Sequence, residues 1–329
     1  MQNKLAPIGL TVYRRLQHLQ QAVAALQKNL LASQSELYVF SDAPKPGDEK
    51  EVAAVRSYLR TIDGFRKVYI IERENNSRIA NNRGGMQMLL DRFGKLIWLA
   101  EDVVTAPGFL QFMNGALEFY GNTEKVGSIS GYCPPFELPQ EYPRDFFSLT
   151  RFNPWGFGLW KRYYKMDTPI GEQEFNKIFK SKEKMNDLVR CAGEEAADII
   201  QMDFKGKLDA GDMKTIFWQF MDKKLTIYPK KSLTRNIGLD GSGFHMPLTY
   251  KWDVSELWNK VGGFNFSQEI EVDERIEKAH SEFYKIPKSK FAKAVYILNR
   301  IGIYKYIRPS VRKLRALWQS KLWVSRLPK

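Results

Sequence analysis

The sequence is poor in cysteine and histidine and has no long uncharged hydrophobic run. Its 329 residues include only Cys133 and Cys191, which show no metal-ligand spacing, and three histidines. So few cysteines favour a reduced, cytoplasmic compartment over a disulfide-built secreted protein. No segment is apolar for long enough to span a bilayer, and the residues after Met1 lack the hydrophobic core of a secretory signal. We therefore expect a soluble or peripherally membrane-bound protein.

Acidic residues are absent from the last part of the sequence. Residues 283–329 contain eight lysines, five arginines and no acid, so they carry +13 of the total net charge of +14. Large apolar and aromatic side chains alternate with these cations, as in amphipathic helices that lie on anionic membranes. A solvated tail is the alternative, and nucleic-acid binding would use similar charges. We predict a basic amphipathic helical tail at 286–329 that binds a membrane, and no nucleic acid.

Strand-like and helix-like segments alternate through the rest of the chain. In the first 125 residues, apolar spacing predicts strands at 8–12, 37–40, 68–71 and 96–99, with helices at 16–31, 49–59 and 79–93. This order is typical of an α/β fold with a mostly parallel sheet, helices on both faces and ligands at the carboxyl strand ends. Further strands are predicted at 126–130 and 225–228, helices at 106–120, 174–189 and 213–221, and a lid or substrate-binding segment at 132–147.

The strand at 96–99 is followed closely by two acids, Glu101 and Asp102. Carboxylate oxygens are the ligands that Mg²⁺ and Mn²⁺ prefer, and these ions take their remaining ligands from phosphates and water. An acidic pair at the carboxyl end of a sheet strand therefore predicts a metal–diphosphate site. The alternative is that the two acids only stabilise the start of the helix that follows near Ala106.

Four segments resemble the motifs of one family, and they occur in the same order. They are 7–19, 99–110, the Asn-Pro-Trp-Gly-Phe-Gly-Leu-Trp block at 153–160, and Pro-Lys-Lys-Ser-Leu-Thr-Arg-Asn-Ile-Gly-Leu-Asp-Gly-Ser-Gly-Phe-His at 229–245. Together they resemble a bacterial group of nucleotide-sugar glycosyltransferases with the GT-A fold. That group is related to the animal Golgi β-1,2-N-acetylglucosaminyltransferase I that acts on N-glycans. The resemblance covers roughly residues 5 to 247, and the last block is the most specific of the four.

The resemblance implies both an organisation and an activity. A GT-A domain would cover residues 1–285, with a nucleotide-binding half at 1–125 and an acceptor-binding half at 126–250, followed by the tail at 286–329. The implied activity is inverting, metal-dependent sugar transfer from a nucleotide sugar, UDP-linked, to a hydroxyl of a lipid-linked, lipopolysaccharide-type or capsule-type saccharide. The implied location is cytoplasmic, peripheral on the inner face of the cell membrane.

The resemblance also implies residues for the donor. Asp102 matches the metal-binding acid, so Mn²⁺ or Mg²⁺ is the implied cofactor, and Glu101 is a water-mediated or indirect contact. Ala100 stands where the family has a further acid, which weakens the expectation of full metal dependence. Asp42 matches the acid that accepts a hydrogen bond from uracil, although it could simply form a turn. Arg14 matches a basic residue near the nucleotide, and a solvated arginine is its alternative.

Further implied contacts come from two asparagine- and glycine-rich segments. Arg78, Asn81 and Asn82 fall where the family contacts the ribose or the diphosphate, although such residues also cap helices. His245 closes a glycine-rich turn and is implied as a contact to the metal or the diphosphate. A histidine that serves only the structure is the alternative there.

The implied catalytic base is Asp212, which would take the proton of the attacking acceptor hydroxyl. The alternative role of Asp212 is the N-cap of the helix predicted at 213–221, and Asp209 is the second candidate for the base. Trp155 is expected to line the cleft, while Phe157 and Trp160 are expected mainly in the core.

Three other functions compete with sugar transfer. A catalytically inactive, membrane-docked protein that binds a nucleotide or a glycan would explain the missing acid at Ala100. Nucleotidyl transfer to a sugar phosphate uses a similar sheet, but it requires a glycine-rich phosphate loop that the stretch from Leu10 to Leu16 lacks. Nucleic-acid binding is the third.

Overall fold

A computed structural model describes residues 5–240 and 251–285 of the chain. The strands are β1 (Ile8–Val12), β2 (Glu36–Ser41), β3 (Lys67–Glu72), β4 (Lys95–Ala100), β5 (Val103–Thr105), β6 (Val126–Ser130), β7 (Phe146–Leu149), β8 (Phe157–Trp160), β9 (Leu225–Pro229) and β10 (Thr234–Asn236). The helices are α1 (Leu16–Gln27), α2 (Glu49–Leu59), α3 (Arg78–Phe93), α4 (Phe109–Phe119), α5 (Glu172–Phe179), α6 (Lys182–Ala192), α7 (Glu194–Phe204), α8 (Gly211–Met221) and α9 (Glu274–Phe283). The predicted tail at 286–329 and the predicted ligand His245 lie outside the described residues.

Eight of the strands form one central sheet in the order β3-β2-β1-β4-β8-β6-β9-β7. The first four are mutually parallel, and β6 pairs parallel with β9. Only β8 and β7 run against their neighbours. The predicted α/β fold with a mostly parallel sheet is therefore confirmed.

Helices cover both faces of this sheet, as the alternating pattern predicts. On one face, α1, α2 and α4 pack into a core that contains Leu19, Val55 and Phe112. On the other face, α3, α6, α7 and α8 pack around Trp98 and Ile216. Within the described residues, no helix combines the length and the apolar character that a bilayer crossing requires.

The close packing of α3 on the sheet depends on a strand glycine. A Cβ at Gly9 would overlap the ring of Trp98 on the neighbouring strand β4. The glycine therefore leaves room for the Trp98 ring, which also packs against Phe40 of β2 with the ring centroids 5.3 Å apart. This packing helps to hold together the three strands whose carboxyl ends carry the candidate donor residues.

Several elements of the second half differ from the sequence expectation. The predicted helix at 174–189 is two helices, because the Ser181 hydroxyl accepts a hydrogen bond from Lys184 N–H and starts α6 anew. Helices α7 and α9 and strands β5, β7, β8 and β10 were not predicted. Strand β8 lies in the aromatic 153–160 block and is buried between β4 and β6. In the first half, the predicted helix at 16–31 ends at Gln27, in α1.

Candidate active site

The carboxyl ends of three neighbouring parallel strands bring the predicted donor residues to one edge of the sheet. In the register, Val12 of β1 lies beside Ser41 of β2, and Thr11 lies beside Ala100 of β4. The residues that follow each strand therefore emerge together. Asp42 follows β2 directly, and Glu101 follows β4 directly.

One arginine holds both acids of the predicted metal motif. Arg15 Nε donates to Glu101 Oε1 at 2.6 Å, and Arg15 Nη2 donates to Asp102 Oδ2 at 2.7 Å. The second oxygen of Glu101 accepts a hydrogen bond from Tyr13 N–H at 2.6 Å. Asp102 Oδ1 makes no hydrogen bond to any described residue. We call Arg15, Glu101 and Asp102 the donor-edge triad.

The donor-edge triad is a partly buried charge cluster. Glu101 is only 5% exposed, and burial raises the pKa of its carboxyl although Arg15 opposes that shift. Burial by itself would lower the pKa of Arg15, but the charges of Asp102 and Glu101 outweigh it and raise the pKa. Arg15 is therefore a permanent cation. The interpretation of Glu101 and Asp102 as helix-start residues is wrong, since strand β5 separates them from α4.

The block at 229–245 packs directly against the acidic pair. Ile237 N–H donates to the backbone oxygen of Asp102 at 2.8 Å, beside the antiparallel pairing of β10 with β5. A Cβ at Gly238 would overlap Asp102 Oδ2, so glycine is required for this close approach. His18 Nε2 lies 3.3 Å from Asp240 Oδ2 and ties the same turn to α1. Two motifs more than 130 residues apart thus meet at one point.

Arg14, the predicted nucleotide contact, is paired with Asp48 and not with the acids of the donor-edge triad. Its Nη1 forms an ion pair with Asp48, and its side chain is 48% exposed. Arg14 and Arg15 both line a surface cleft of about 480 Å³ between the starts of α1 and α2, together with His18 and Lys50. The sequence analysis did not single out Arg15, which is the arginine that bonds the acidic motif. A nucleotide contact by Arg14 stays a prediction.

Asp42 fastens the loop after β2 to the start of α3. Its Oδ1 accepts hydrogen bonds from Ala43 N–H at 3.0 Å and Ser77 N–H at 2.9 Å. Its Oδ2 has a longer bond of 3.3 Å from Asn76 Nδ2, and the residue is 4% exposed. These contacts agree with the turn-forming alternative, while uracil recognition by Asp42 stays a prediction.

The three predicted contacts at the start of α3 have different surroundings. Asn81 is buried and donates through Nδ2 to Thr11 Oγ1 and to Phe40 O, so it joins β1 to β2. Asn82 donates to the backbone of Arg78, one turn earlier in its own helix. The Nδ2 groups of both amides are thus engaged within the protein, whereas Asn81 Oδ1 is buried and has no hydrogen-bond partner among the described residues. Arg78 is the first residue of α3, and its charge acts on Asp212.

Asp212 lies in the first turn of α8 and is partly buried. The helix begins at Gly211 with Ala210 before it, so the N-cap interpretation of Asp212 is wrong. Burial raises the pKa of the Asp212 carboxyl, while the Met213 N–H and the charges of Arg151 and Arg78 partly oppose the shift. Asp212 forms no ion pair with a described residue.

Asp209, the second candidate for the base, is tied up by cations. It forms ion pairs with Arg83 of α3 and, at 2.6 Å, with Lys214 of α8. Burial by itself would raise the pKa of Asp209, but the hydrogen bonds from Arg83 and Lys214 outweigh it and lower the pKa. Asp209 therefore acts as a fixed counter-ion that joins two helices.

The aromatic block supplies both core residues and one partly exposed ring. Phe157 and Trp160 are buried in β8, so the prediction that they belong to the core is confirmed. Trp155 is partly buried, packs edge-on against Tyr132 with the ring centroids 4.6 Å apart, and accepts a hydrogen bond through its carbonyl from Thr234 Oγ1. Trp155 therefore lies beside β10, next to the donor edge.

The residues at this edge fit a divalent cation only through Asp102. No three histidine, cysteine, aspartate or glutamate side chains within 5–240 and 251–285 converge as metal ligands. Asp102 Oδ1 is available, whereas both oxygens of Glu101 are engaged. One carboxylate oxygen completed by water and a diphosphate is a common arrangement for Mg²⁺ and Mn²⁺.

Comparison with known proteins finds distant similarity of fold. No protein-family model and no curated protein matches the chain. Among solved structures, TarS 1-349 of S. aureus aligns at 11% identity with a TM-score of 0.39, over 71% of this chain and 61% of that one. The same protein in complex with UDP aligns at 10% identity with a TM-score of 0.38, over 69% and 59%.

A third structure is a mannosyltransferase, PcManGT from Pyrobaculum calidifontis, in complex with GDP-Man and Mn²⁺. It aligns at 10% identity with a TM-score of 0.35, over 66% of this chain and 70% of that one. The chain thus spans about 61% of the length of TarS 1-349.

Proposed function

We propose that this chain is an inverting glycosyltransferase of the GT-A type, in the bacterial group related to the animal N-acetylglucosaminyltransferase I. It transfers a sugar from a UDP-sugar to a hydroxyl of a lipid-linked, lipopolysaccharide-type or capsule-type saccharide. The observation that carries the proposal is the contact of Ile237 and Gly238 with Asp102. Two separate motifs of the resemblance meet there, at the sheet edge where α/β proteins bind nucleotides.

On this proposal the donor lies at the carboxyl ends of β1, β2 and β4. Asp102 would hold Mn²⁺ or Mg²⁺, with His245 as a further metal or diphosphate contact, and Glu101 supports Asp102 through Arg15. When bound, the cation neutralises the diphosphate and makes the nucleoside diphosphate a better leaving group. Further donor contacts are assigned to Asp42, Arg14, Arg78 and Asn82.

Asp212 acts as the base. The acceptor oxygen attacks the anomeric carbon from the face opposite the diphosphate, the bond from that carbon to the diphosphate oxygen breaks, and the hydroxyl proton passes to Asp212. Two observations support this choice over Asp209. Asp212 has no ion pair with a described residue and its pKa is raised, whereas Asp209 is held by Arg83 and Lys214.

The basic tail at 286–329 is proposed to dock the enzyme on an anionic membrane, on the inner face of the cell membrane. Each cation near such a surface contributes about 1 kcal/mol, so the twelve in this tail suffice without a spanning segment. A lipid-linked acceptor would then be presented at the same surface.

The second candidate function is an inactive, membrane-docked protein that binds a nucleotide or a glycan. The observation that favours it is Ala100 in place of the first acid of the motif. Both candidates bind a nucleotide, but only the enzyme releases free nucleoside diphosphate from a nucleotide sugar.

The test is thermal stabilisation by UDP, GDP, CDP and ADP, each with and without Mn²⁺. We expect a shift with UDP that needs both Mn²⁺ and Asp102, so that Asp102→Ala abolishes it. Asp187→Ala is the matched control, because Asp187 lies on α6 and, within the described residues, forms its ion pair with the nearby Arg190. If none of the four nucleotides raises the melting temperature, the proposal is contradicted. Release of UDP on incubation with UDP-sugars then separates the enzyme from the binding protein.

A further inference from the structure

The two acids at the donor edge already share a cation that belongs to the protein. Arg15 bonds Glu101 and Asp102 at 2.6 and 2.7 Å, so a guanidinium lies where a metal would neutralise charge. Glu101 cannot turn away, because Tyr13 N–H holds its other oxygen. The carboxylate of Asp102 accepts one hydrogen bond, from Arg15 to Oδ2, and its Oδ1 accepts none from a described residue. Asp102 is therefore the member of the pair that can exchange one cation for another.

The surroundings make this exchange energetically significant. The side chain of Arg15 is 20% exposed and that of Asp102 is 14% exposed, so water screens their attraction only weakly. Gly238 lies against both groups, since a Cβ there would overlap Asp102 Oδ2 and crowd Arg15 Nη1. A divalent cation at Asp102 must compete with the guanidinium at close range.

The guanidinium itself is not fully satisfied. Arg15 Nη1 is buried and makes no hydrogen bond within the described part of the chain. A buried donor without an acceptor costs free energy, and guanidinium donors match phosphate oxygens well. An arriving diphosphate could therefore take up the donors of Arg15 and weaken its bond to Asp102.

We infer that Arg15 is a built-in counter-cation that competes with the divalent metal for Asp102 and releases Asp102 when a diphosphate binds. The inference rests on the proposed function, because the diphosphate is that of the donor. Metal and nucleotide then bind cooperatively, each raising the affinity for the other by the same factor. Arg15 is a positioning residue in this scheme, since it acts on the metal through Asp102.

The test is to measure Mn²⁺ binding to the Arg15→Gln variant in the absence of nucleotide. The electron paramagnetic resonance signal of free Mn²⁺ reports how much metal remains unbound. Removal of a site arginine is expected to strengthen metal binding by about tenfold, because Asp102 loses a competing unit charge. With UDP, the wild type gains Mn²⁺ affinity and the variant gains little. A purely structural role of Arg15 would weaken metal binding instead.

Arg275→Gln is the matched control, because it removes the same charge from an exposed side chain at the start of α9 that is paired with Asp273. Its Mn²⁺ affinity without nucleotide should equal that of the wild type. In the double variant Arg15→Gln/Asp102→Ala, the gain should disappear, which locates it at Asp102. Arg15→Lys keeps the charge and should give an intermediate affinity, which guards against misfolding of the glutamine variant.

Unchanged or weaker Mn²⁺ binding by a folded Arg15→Gln variant overturns the inference. Failure of the proposed function has a different signature, in which no nucleotide shifts any variant. If Arg15→Gln gains Mn²⁺ affinity under that outcome, the competition between Arg15 and the metal stands while the donor assignment fails. If UDP binds with Mn²⁺ but Arg15→Gln gains nothing, the donor site stands and the counter-cation role fails.

Discussion

Two carboxylate clusters of this molecule are held in opposite ways. At the donor edge, Glu101 and Asp102 share the guanidinium of Arg15 and are fixed in place by it. At the start of α8, Asp212 is partly buried and makes no ion pair with a described residue, and burial raises its pKa. A carboxylate bonded to a cation keeps its position. One that is desolvated without a close counter-ion takes up a proton readily, as a general base must.

The contrast is repeated within the second cluster. Asp209 is three residues from Asp212, but Arg83 and Lys214 hold it and its pKa is lowered. In its ion pairs, Asp209 thus resembles the donor-edge acids rather than its neighbour Asp212. The environment, and not the residue type or the position in sequence, separates a structural anion from a candidate base.

The largest expected effect is on catalysis by Asp212→Asn. We expect kcat to fall by about 100- to 10,000-fold, the usual contribution of a general base. The raised pKa means that the folded state disfavours the ionised form, so this group's contribution to stability is lost as pH rises through its folded pKa. At neutral pH the amide therefore should not destabilise the fold. Kinetics and urea unfolding of the same sample measure both effects.

Asp209→Asn is the control for that experiment. It should weaken the ion pairs with Arg83 and Lys214 and lower stability, while kcat changes by less than about tenfold. If a folded Asp209→Asn variant loses as much kcat as Asp212→Asn, the assignment of the base is wrong.

A second prediction concerns the stability of the donor edge. Glu101→Gln keeps the size of the side chain but removes the charge that bonds Arg15, and its amide group can accept at only one of the two bonded positions. We expect a loss of about 2 kcal/mol in the free energy of unfolding, measured in urea. A loss of stability in Glu101→Gln together with no loss in Asp212→Asn would express the contrast between the two clusters. If both variants change the free energy of unfolding by the same amount, the two clusters do not differ in this way.

Third in size is the effect of Gly238→Ala. Its Cβ would overlap Asp102 Oδ2 and force the carboxylate away from Arg15. We expect the affinity for UDP with Mn²⁺ to fall by about tenfold, measured by calorimetry, because a displaced carboxylate cannot align a bound diphosphate. Gly84→Ala is the control, since the nearest atom to its added Cβ is Arg73 Nη1 at 3.9 Å and alanine favours a helix. If both variants lose the same affinity for UDP, the loss in Gly238→Ala does not arise from its contact with Asp102.

The sequence reveals the parallel half of the fold better than the site itself. The strands from Ile8–Val12 to Lys95–Ala100 are strongly apolar and alternate with amphipathic helices, so local pattern and tertiary structure agree. Strand β8 could not be found this way, because its four residues lie in an aromatic block without alternation. Its position depends on pairing with β4 and β6, which are distant in sequence.

Side-chain partners were harder to predict for the same reason. Two adjacent arginines, Arg14 and Arg15, look alike in the sequence. Which of them reaches the acids depends on where β1 ends and α1 starts, and the structure turns Arg14 toward Asp48. The acidic pair and the strand end were predictable from local residues. The cation between them required the three-dimensional arrangement.

The smallest expected effect is a change in pH dependence caused by Arg78→Gln. The charge of Arg78 lowers the pKa of Asp212, against the larger effect of burial, so its removal should raise that pKa further. A base works in its ionised form, and the acidic limb of kcat/KM against pH should therefore move to higher pH. The ratio of the variant's kcat/KM to that of the wild type would be smallest at pH values below the limb. Above the limb this ratio would become constant. Loss of a donor contact alone would lower kcat/KM by one factor at every pH and leave the limb in place. A limb that stays in place would thus show that Arg78 does not act on the base.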